Sequence, residues 1–226
     1  MNLNLKGKRV LVTGGSRGIG RSIADELLKE GCVVDICSRT EDIIIDVLKD
    51  DLNKIDGQYD ILINNVGGGG RWGSEEYEQF EEWEEVYEKN AGVARKLTMK
   101  CIPYMRDKKW GRVITISSIF GKEAGGMPWF NMAKSAQTSL MKTLAMNPEL
   151  SRSGITFNSV APGAIMIPDT GWDNKNEMKQ KIVQLPLGRM GTPEEVAAVV
   201  AFICSERASL INGASIAVDG AESRSF

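Results

Sequence analysis

Thr13-Gly14-Gly15-Ser16-Arg17-Gly18-Ile19-Gly20 decides the fold. Before it stands the apolar run Arg9-Val10-Leu11-Val12; after it Ile19, Ile23, Ala24, Leu27 and Leu28 recur at helical spacing. A glycine-rich turn between a buried strand and a helix is a phosphate site. Glycines let the backbone approach the ligand, and the helix N-terminus offers free N–H groups and the positive end of a dipole. The spacing is G-x-x-x-G-x-G rather than the commoner G-x-G-x-x-G. An ordinary glycine-rich turn is the bland alternative, and the flanking strand and helix argue against it. Gly14, Ser16 and Gly18 also match G-x-S-x-G, the elbow of serine hydrolases, but the chain contains no histidine to act as base.

A length of 226 residues suits one α/β domain over 1–226. Lys plus Arg number 28 and Asp plus Glu 30, a net charge of −2 that carries no nucleic-acid footprint. Acid gathers at Glu75, Glu76, Glu78, Glu81, Glu82, Glu84, Glu85 and Glu88. Phe80, Trp83, Val86 and Tyr87 interleave there at helical spacing, which reads as a solvated helix face with a buried stripe. Cys32, Cys37, Cys101 and Cys204 form no C-x-x-C pair, and zinc has almost no ligands. Cys32 and Cys37 lie at odd separation on one predicted strand and so point to opposite faces. No apolar run is long enough to span a membrane, and the expectation is a soluble, reduced, cytoplasmic protein.

The pattern predicts strands over about 9–13, 32–38, 61–63, 111–118, 155–160 and 214–218, with a helix over about 18–30 closed by Gly31. The end of the second strand meets the adenosine ribose in this architecture, where an acidic side chain would bind a free 2′-hydroxyl. Ser38 and Arg39 stand there instead, with Arg17 in the glycine turn. Two guanidiniums and no carboxylate suit a 2′-phosphate, so NADP(H) is the cofactor expected; two solvated surface arginines are the alternative. Between 40 and 60, Ile44, Val47, Leu48, Leu52 and Ile55 fall on one helical face. Ile43-Ile44-Ile45-Asp46-Val47 could instead be a strand ending in a polar cofactor contact. The gap is too short for a parallel crossover, which favours one helix and a sheet that has lost an edge strand, its edge strand/helix unit shortened. Asn64 and Asn65 can tie strand ends, and Gly67 admits a ligand. Arg71 and Trp72 stand in a glycine-rich loop that could reach over a substrate or lie slack at the surface. Pro128 opens a helix on which Phe130 and Lys134 share a face. The stretch 164–187 reads as an irregular lid, and Thr192-Pro193-Glu194-Glu195 caps the last helix.

Taken in order, several motifs together resemble the short-chain dehydrogenase/reductase family over essentially the whole chain. They are Thr13-Gly14-x-x-x-Gly18-Ile19-Gly20, Asn64-Asn65-Val66-Gly67, Asn90, Ser117-Ser118, Lys134, Asn158-x-Val160-Ala161-Pro162-Gly163, Gly191-x-Pro193-Glu194-Glu195-Val196-Ala197 and Val218-Asp219-Gly220. The resemblance implies a Rossmann-type doubly wound parallel sheet and hydride transfer between a nicotinamide cofactor and a small carbonyl or alcohol. It implies cofactor contacts by Gly14, Ser16, Arg17, Gly18, Ile19, Gly20 and Arg39, by Asn65 and Gly67, and by Lys134, Pro162, Gly163 and Ile165. Among its implied catalytic positions, Ser118 hydrogen-bonds the substrate oxygen and Asn90 holds a water in the proton relay. Lys134 binds the nicotinamide ribose and lowers the pKa of a tyrosine one turn earlier. By analogy the chain forms a homodimer or homotetramer.

At that tyrosine's position stands Phe130, which keeps the ring and has no proton to give. General acid catalysis contributes ~10²–10⁴-fold, so the expectation is cofactor binding with impaired turnover. Three readings stand: a reductase changed from Tyr to Phe by engineering, a natural enzyme of altered chemistry or with another acid, and a non-catalytic NADP(H)-binding sensor or scaffold. Ile167 occupies the neighbourhood where the family often has Thr, with Thr170 a few residues on. Met166, Trp172 and Asn174 suggest a mixed polar and aromatic pocket, without naming a substrate.

Overall fold

The computed structural model describes residues 2–69, 80–168 and 175–225. Seven described strands form one parallel sheet: β1 (Arg9–Thr13), β2 (Val33–Ser38), β3 (Ile43–Ile44), β4 (Ile61–Asn64), β5 (Gly111–Ile116), β6 (Ile155–Pro162) and β7 (Ser215–Val218). Their order is β3-β2-β1-β4-β5-β6-β7. The chain steps one way from β1 and the other way from β4, so the switch point lies between them, where open α/β sheets bind ligands beyond the strand C-termini.

Alternation builds the two layers. Val10 and Val12 point into one core with Ile23 and Leu27 of α1 (Gly18–Lys29) and Val196 and Val200 of α7 (Pro193–Cys204). Leu11 points into the other, with Leu97 of α3 (Val93–Lys108) and Met141 of α4 (Pro128–Ala145). Cys32 and Cys37 fall in the first and second of these cores, as their odd spacing requires. Helices α2 (Phe80–Tyr87), α5 (Pro148–Arg152) and α6 (Lys175–Gln184) complete the described set. None of the described helices is long and apolar enough to cross a membrane.

The sheet edge departs from expectation. Residues 41–56 do not form one helix: Ile43–Ile44 pair in parallel with Cys37 and Ser38, and only a 3₁₀ turn, Leu52–Lys54, follows before β4. The runner-up reading, a strand ending at Asp46-Val47, is the nearer one. Long crossovers return the chain by a full strand length, whereas a two-residue ladder at the very end of β2 needs hardly any return. Side chains make the reversal. Ser38 Oγ accepts from the N–H of Thr40 (3.2 Å) and of Glu41 (3.0 Å), and Asp42 accepts from Ile36 N–H at 2.9 Å. Ile45 and Ile55 are buried while Ile44 is 70% exposed, which no helical face would give. The edge unit is thus shortened, but the expected loss of the edge strand is overturned: the strand is kept and the helix is what is missing.

Tyr87 is 41% exposed, so the buried stripe of α2 runs through Trp83 and Val86 without it. The stretch 164–187 is not irregular throughout, since it contains α6. Pro128 opens α4, and Thr192 with Glu195 forms a full capping box on α7.

Candidate functional site

A cleft of about 1260 Å³ opens at the C-terminal ends of the strands, with Gly14, Ser16, Arg17, Gly18, Ile19 and Gly20 in one wall. Arg17 is the N-cap of α1, in extended backbone, and no side chain caps the helix. The first-turn N–H groups are therefore left to a ligand. Asn65 pins the turn from below: its Nδ2 donates to the carbonyls of Thr13 (2.9 Å) and Gly14 (3.0 Å). Thr13 Oγ1 accepts from the amides of Asn65 and Val66, each at 3.0 Å, so β1 and β4 are tied where they diverge.

Gly20 is required by this packing. A Cβ there would lie 2.4 Å from both Asn65 Nδ2 and the Gly14 carbonyl oxygen. Gly20→Ala should cost about 1–3 kcal/mol by overpacking and lower the melting temperature by roughly 3–10 °C. An unchanged thermal melt would show that the turn is not held as tightly as this.

Arg39 and Arg17 both line the cleft and are exposed. Among the described residues neither has an ion-pair partner, whereas nearby Arg21 is engaged by Asp25 (3.0 Å) and Glu41 (3.7 Å). Ile45, Asp46, Val47 and Leu48 form the adjoining wall, brought there by the β3 reversal that the helical reading had missed.

The other end of the cleft is built by α4. Phe130 and Lys134 both line it, with Lys134 Nζ 5.5 Å from the Phe130 ring centre. Lys134 is 4% exposed and donates to the Ile116 carbonyl at 2.9 Å. Burial pulls its pKa down to about 7. Gly67 threads between Lys134 and Asn90: a Cβ there would lie 2.4 Å from Asn90 Oδ1 and 3.2 Å from Lys134 Nζ. Asn90 sits in a π-helical turn, Glu88–Gly92, fully buried. Its Nδ2 donates to the carbonyls of Val86 (2.8 Å) and Gly68 (2.9 Å), so its side chain fastens the loop after β4. Gln137, a residue the sequence reading passed over, donates to the Asn90 carbonyl at 3.0 Å. Its position one turn beyond Lys134 was the signal that could have found it.

The two serines divide their work. Ser117 lines the cleft, and its hydroxyl lies 3.2 Å from the Lys134 carbonyl and 2.9 Å from Thr138 Oγ1. Ser118 caps the short turn after β5, accepting from Phe120 N–H at 3.2 Å, and is outside the cleft walls. Phe130, like Trp83 and Met127, packs against the buried cluster of Val86, Trp129 and Ala133, and Trp129 Nε1 donates to the Gly69 carbonyl at 2.7 Å.

Pro162, Gly163 and Ile165 also lie outside the cleft walls. Glu222 Oε2 stands where a Gly163 side chain would, accepting from Ala164 N–H at 2.6 Å. Ile165 forms a bridge to Gly191 and lines a small separate hollow. Ile167 instead reaches the cleft, its Cγ2 3.0 Å from where a Gly18 Cβ would stand. Arg71, Trp72, Thr170, Trp172 and Asn174 lie outside the described residues. All four cysteines are buried, and burial raises their thiol pKa values (Cys37 to about 11), which removes them as nucleophiles.

Residues 40–221 match the family described as enoyl-(acyl carrier protein) reductase, and residues 8–50 the family described as short chain dehydrogenase. The chain is 35% identical over 250 residues to the 3-oxoacyl-[acyl-carrier-protein] reductase FabG of Aquifex aeolicus, covering 97% of this chain and 99% of the relative. To the enzyme of the same description from Escherichia coli it is 33% identical over 242 residues, covering 96% and 98%. Among solved structures, L-sorbose reductase from Gluconobacter frateurii complexed with NADPH and L-sorbose superposes with a TM-score of 0.87, at 28% identity and full coverage of both chains.

Proposed function

This chain belongs to the short-chain dehydrogenase/reductase family, and on that premise we propose that it is an NADP(H)-dependent oxidoreductase interconverting a ketone and a secondary alcohol, slowed by Phe130 at the acid position. One observation carries the reading: a single cleft is lined both by the Gly14–Gly20 turn with Arg17 and Arg39 and by the Phe130–Lys134 face of α4. The residues fit the cofactor. The N-terminus of α1 opens on the cleft without a side-chain cap, and the guanidiniums of Arg17 and Arg39, without an ion-pair partner among the described residues, suit a 2′-phosphate. That relatives so described act on carbonyl groups, and that the sorbose reductase holds NADPH, supports the same assignment.

In this reading the α1 N-terminus holds the pyrophosphate, and Arg17 and Arg39 clasp the 2′-phosphate. Gly67 lets the nicotinamide half descend, and the Lys134 ammonium meets its ribose. When bound, the cofactor supplies a hydride to a carbonyl carbon. Asn90 holds the floor of the site in shape, and the apolar wall of Phe130 excludes water from the reacting face. Met99 and Met132, 43% and 45% exposed on α3 and α4, support assembly as a homodimer or homotetramer through those helices.

The test needs no substrate. NADPH at 100 times its dissociation constant should add about 2.7 kcal/mol of stability, a rise in melting temperature of roughly 5–10 °C. NADH at equal concentration should give much less. A rise with neither nucleotide would sink the proposal. A second reading, an NADP(H)-binding sensor without turnover, is favoured by the lack of any proton on Phe130; it predicts the same rise and no ketone reduction.

A further inference from the structure

Resting on that reading, we infer that the ε-ammonium of Lys134 is itself the proton donor to the substrate oxygen in this chain. Among the described residues the cleft leaves few other candidates. Phe130 has no proton, Ser118 lies outside the cleft walls, and the Ser117 hydroxyl is directed at the Lys134 carbonyl and Thr138. Lys134 is one turn from Phe130 on the same helical face, and Nζ bonds Ile116 with one N–H, so of its two further protons one can meet the ribose and the other the substrate oxygen. Its surroundings are the Ile116 carbonyl, the Gly67 backbone and the Phe130 ring, and among the described residues no carboxylate is paired with it.

Other charged groups also line the cleft. Glu84, Glu85, Glu88 and Lys89 come from α2 and the turn after it, and Asp46 and Lys49 from the sheet edge. Glu88 is bound to Lys96 at 2.5 Å. Arg17 and Arg39 lie at the phosphate end. Burial therefore dominates, drawing the ammonium down to about 7, where it can give up a proton at neutral pH.

The step balances. The carbonyl carbon accepts a hydride from the reduced nicotinamide and the oxygen accepts a proton from Nζ. One C–H and one O–H bond form, while the C–H bond of the reduced nicotinamide, the carbonyl π bond and one Lys134 N–H bond break. The carbonyl is reduced by two electrons and the nicotinamide oxidised by two. The neutral amine is then recharged from solvent. Above its pKa the lysine is neutral and cannot donate, so reduction should fall about tenfold per pH unit on the alkaline side.

Two readouts test this on the full chain. ¹⁵N-lysine NMR of the protein without cofactor, assigned with Lys134→Met, should show Lys134 titrating near neutrality, against ~10.4 for an ordinary lysine. Lys134→Arg keeps the cation but holds its proton at every working pH. It should reduce ketones at least about 10²-fold more slowly while NADPH still raises its melting temperature. A titration midpoint above about 9, a Lys134→Arg variant of undiminished rate, or a loss confined to Lys89→Met each overturns the inference alone. So does a wild-type chain that binds NADPH and reduces no ketone. Failure of NADPH to raise the wild-type melting temperature overturns the cofactor reading with it.

Discussion

Phe130→Tyr raises kcat/KM for NADPH-dependent ketone reduction by about 10²–10⁴-fold, the usual worth of a well-placed general acid. The scaffold for that acid is already in place. Phe130 lines the cleft, packed against the cluster of Val86, Trp129 and Ala133, and Lys134 Nζ lies 5.5 Å from its ring centre. A phenol oxygen added at the ring's end would extend along the cleft wall toward substrate. The neighbouring ammonium would favour the phenolate and bring its pKa down from ~10. The limiting group then changes, so the alkaline fall in rate should move away from the lysine midpoint. Steady-state rates over a panel of ketones, measured across pH, check both statements. Less than about a threefold gain on every ketone would mean that position 130 does not face the reacting oxygen.

Arg39→Asp weakens NADPH binding by about 10²–10³-fold and leaves NADH binding intact or improved. A hydrogen bond to a charged group is worth about 1.5–3 kcal/mol, and the substitution adds repulsion between carboxylate and phosphate. Arg39 is exposed and makes no ion pair among the described residues, so the fold loses nothing when it changes. Arg21→Ala is the control: that guanidinium is held by Asp25 and Glu41, and its loss should leave the preference unchanged. Titration of both nucleotides by fluorescence or calorimetry decides the matter. Equal losses of NADPH and NADH affinity would remove Arg39 from the 2′-phosphate.

The candidate site was legible wherever its chemistry is written in residues close together in the chain. Asn65 ties β1 to β4 through Thr13 and Gly14, and Phe130 and Lys134 share a helical face, both as their patterns suggest. Which serine faces the cleft was not legible, because neighbouring residues leaving a strand are told apart only by the turn that follows. There Ser118 caps the turn and Ser117 looks inward. Gln137 was passed over because its partner, the Asn90 carbonyl, is 47 residues away in sequence.

By itself the sequence determined the strand–turn–helix at Arg9 to Lys29, the opening of α4 at Pro128 and the capping box at Thr192. Each of these is decided by hydrogen bonds and backbone preferences spanning a few residues, and those act wherever the segment lies. Only the tertiary structure decided the edge strand Ile43–Ile44, the cleft wall that follows it, and the reach of Ile167 rather than Ile165 to the glycine turn. Ile43-Ile44-Ile45 is apolar enough for a helix or a strand. The free edge of β2, with its unpaired amides and carbonyls, selected the strand.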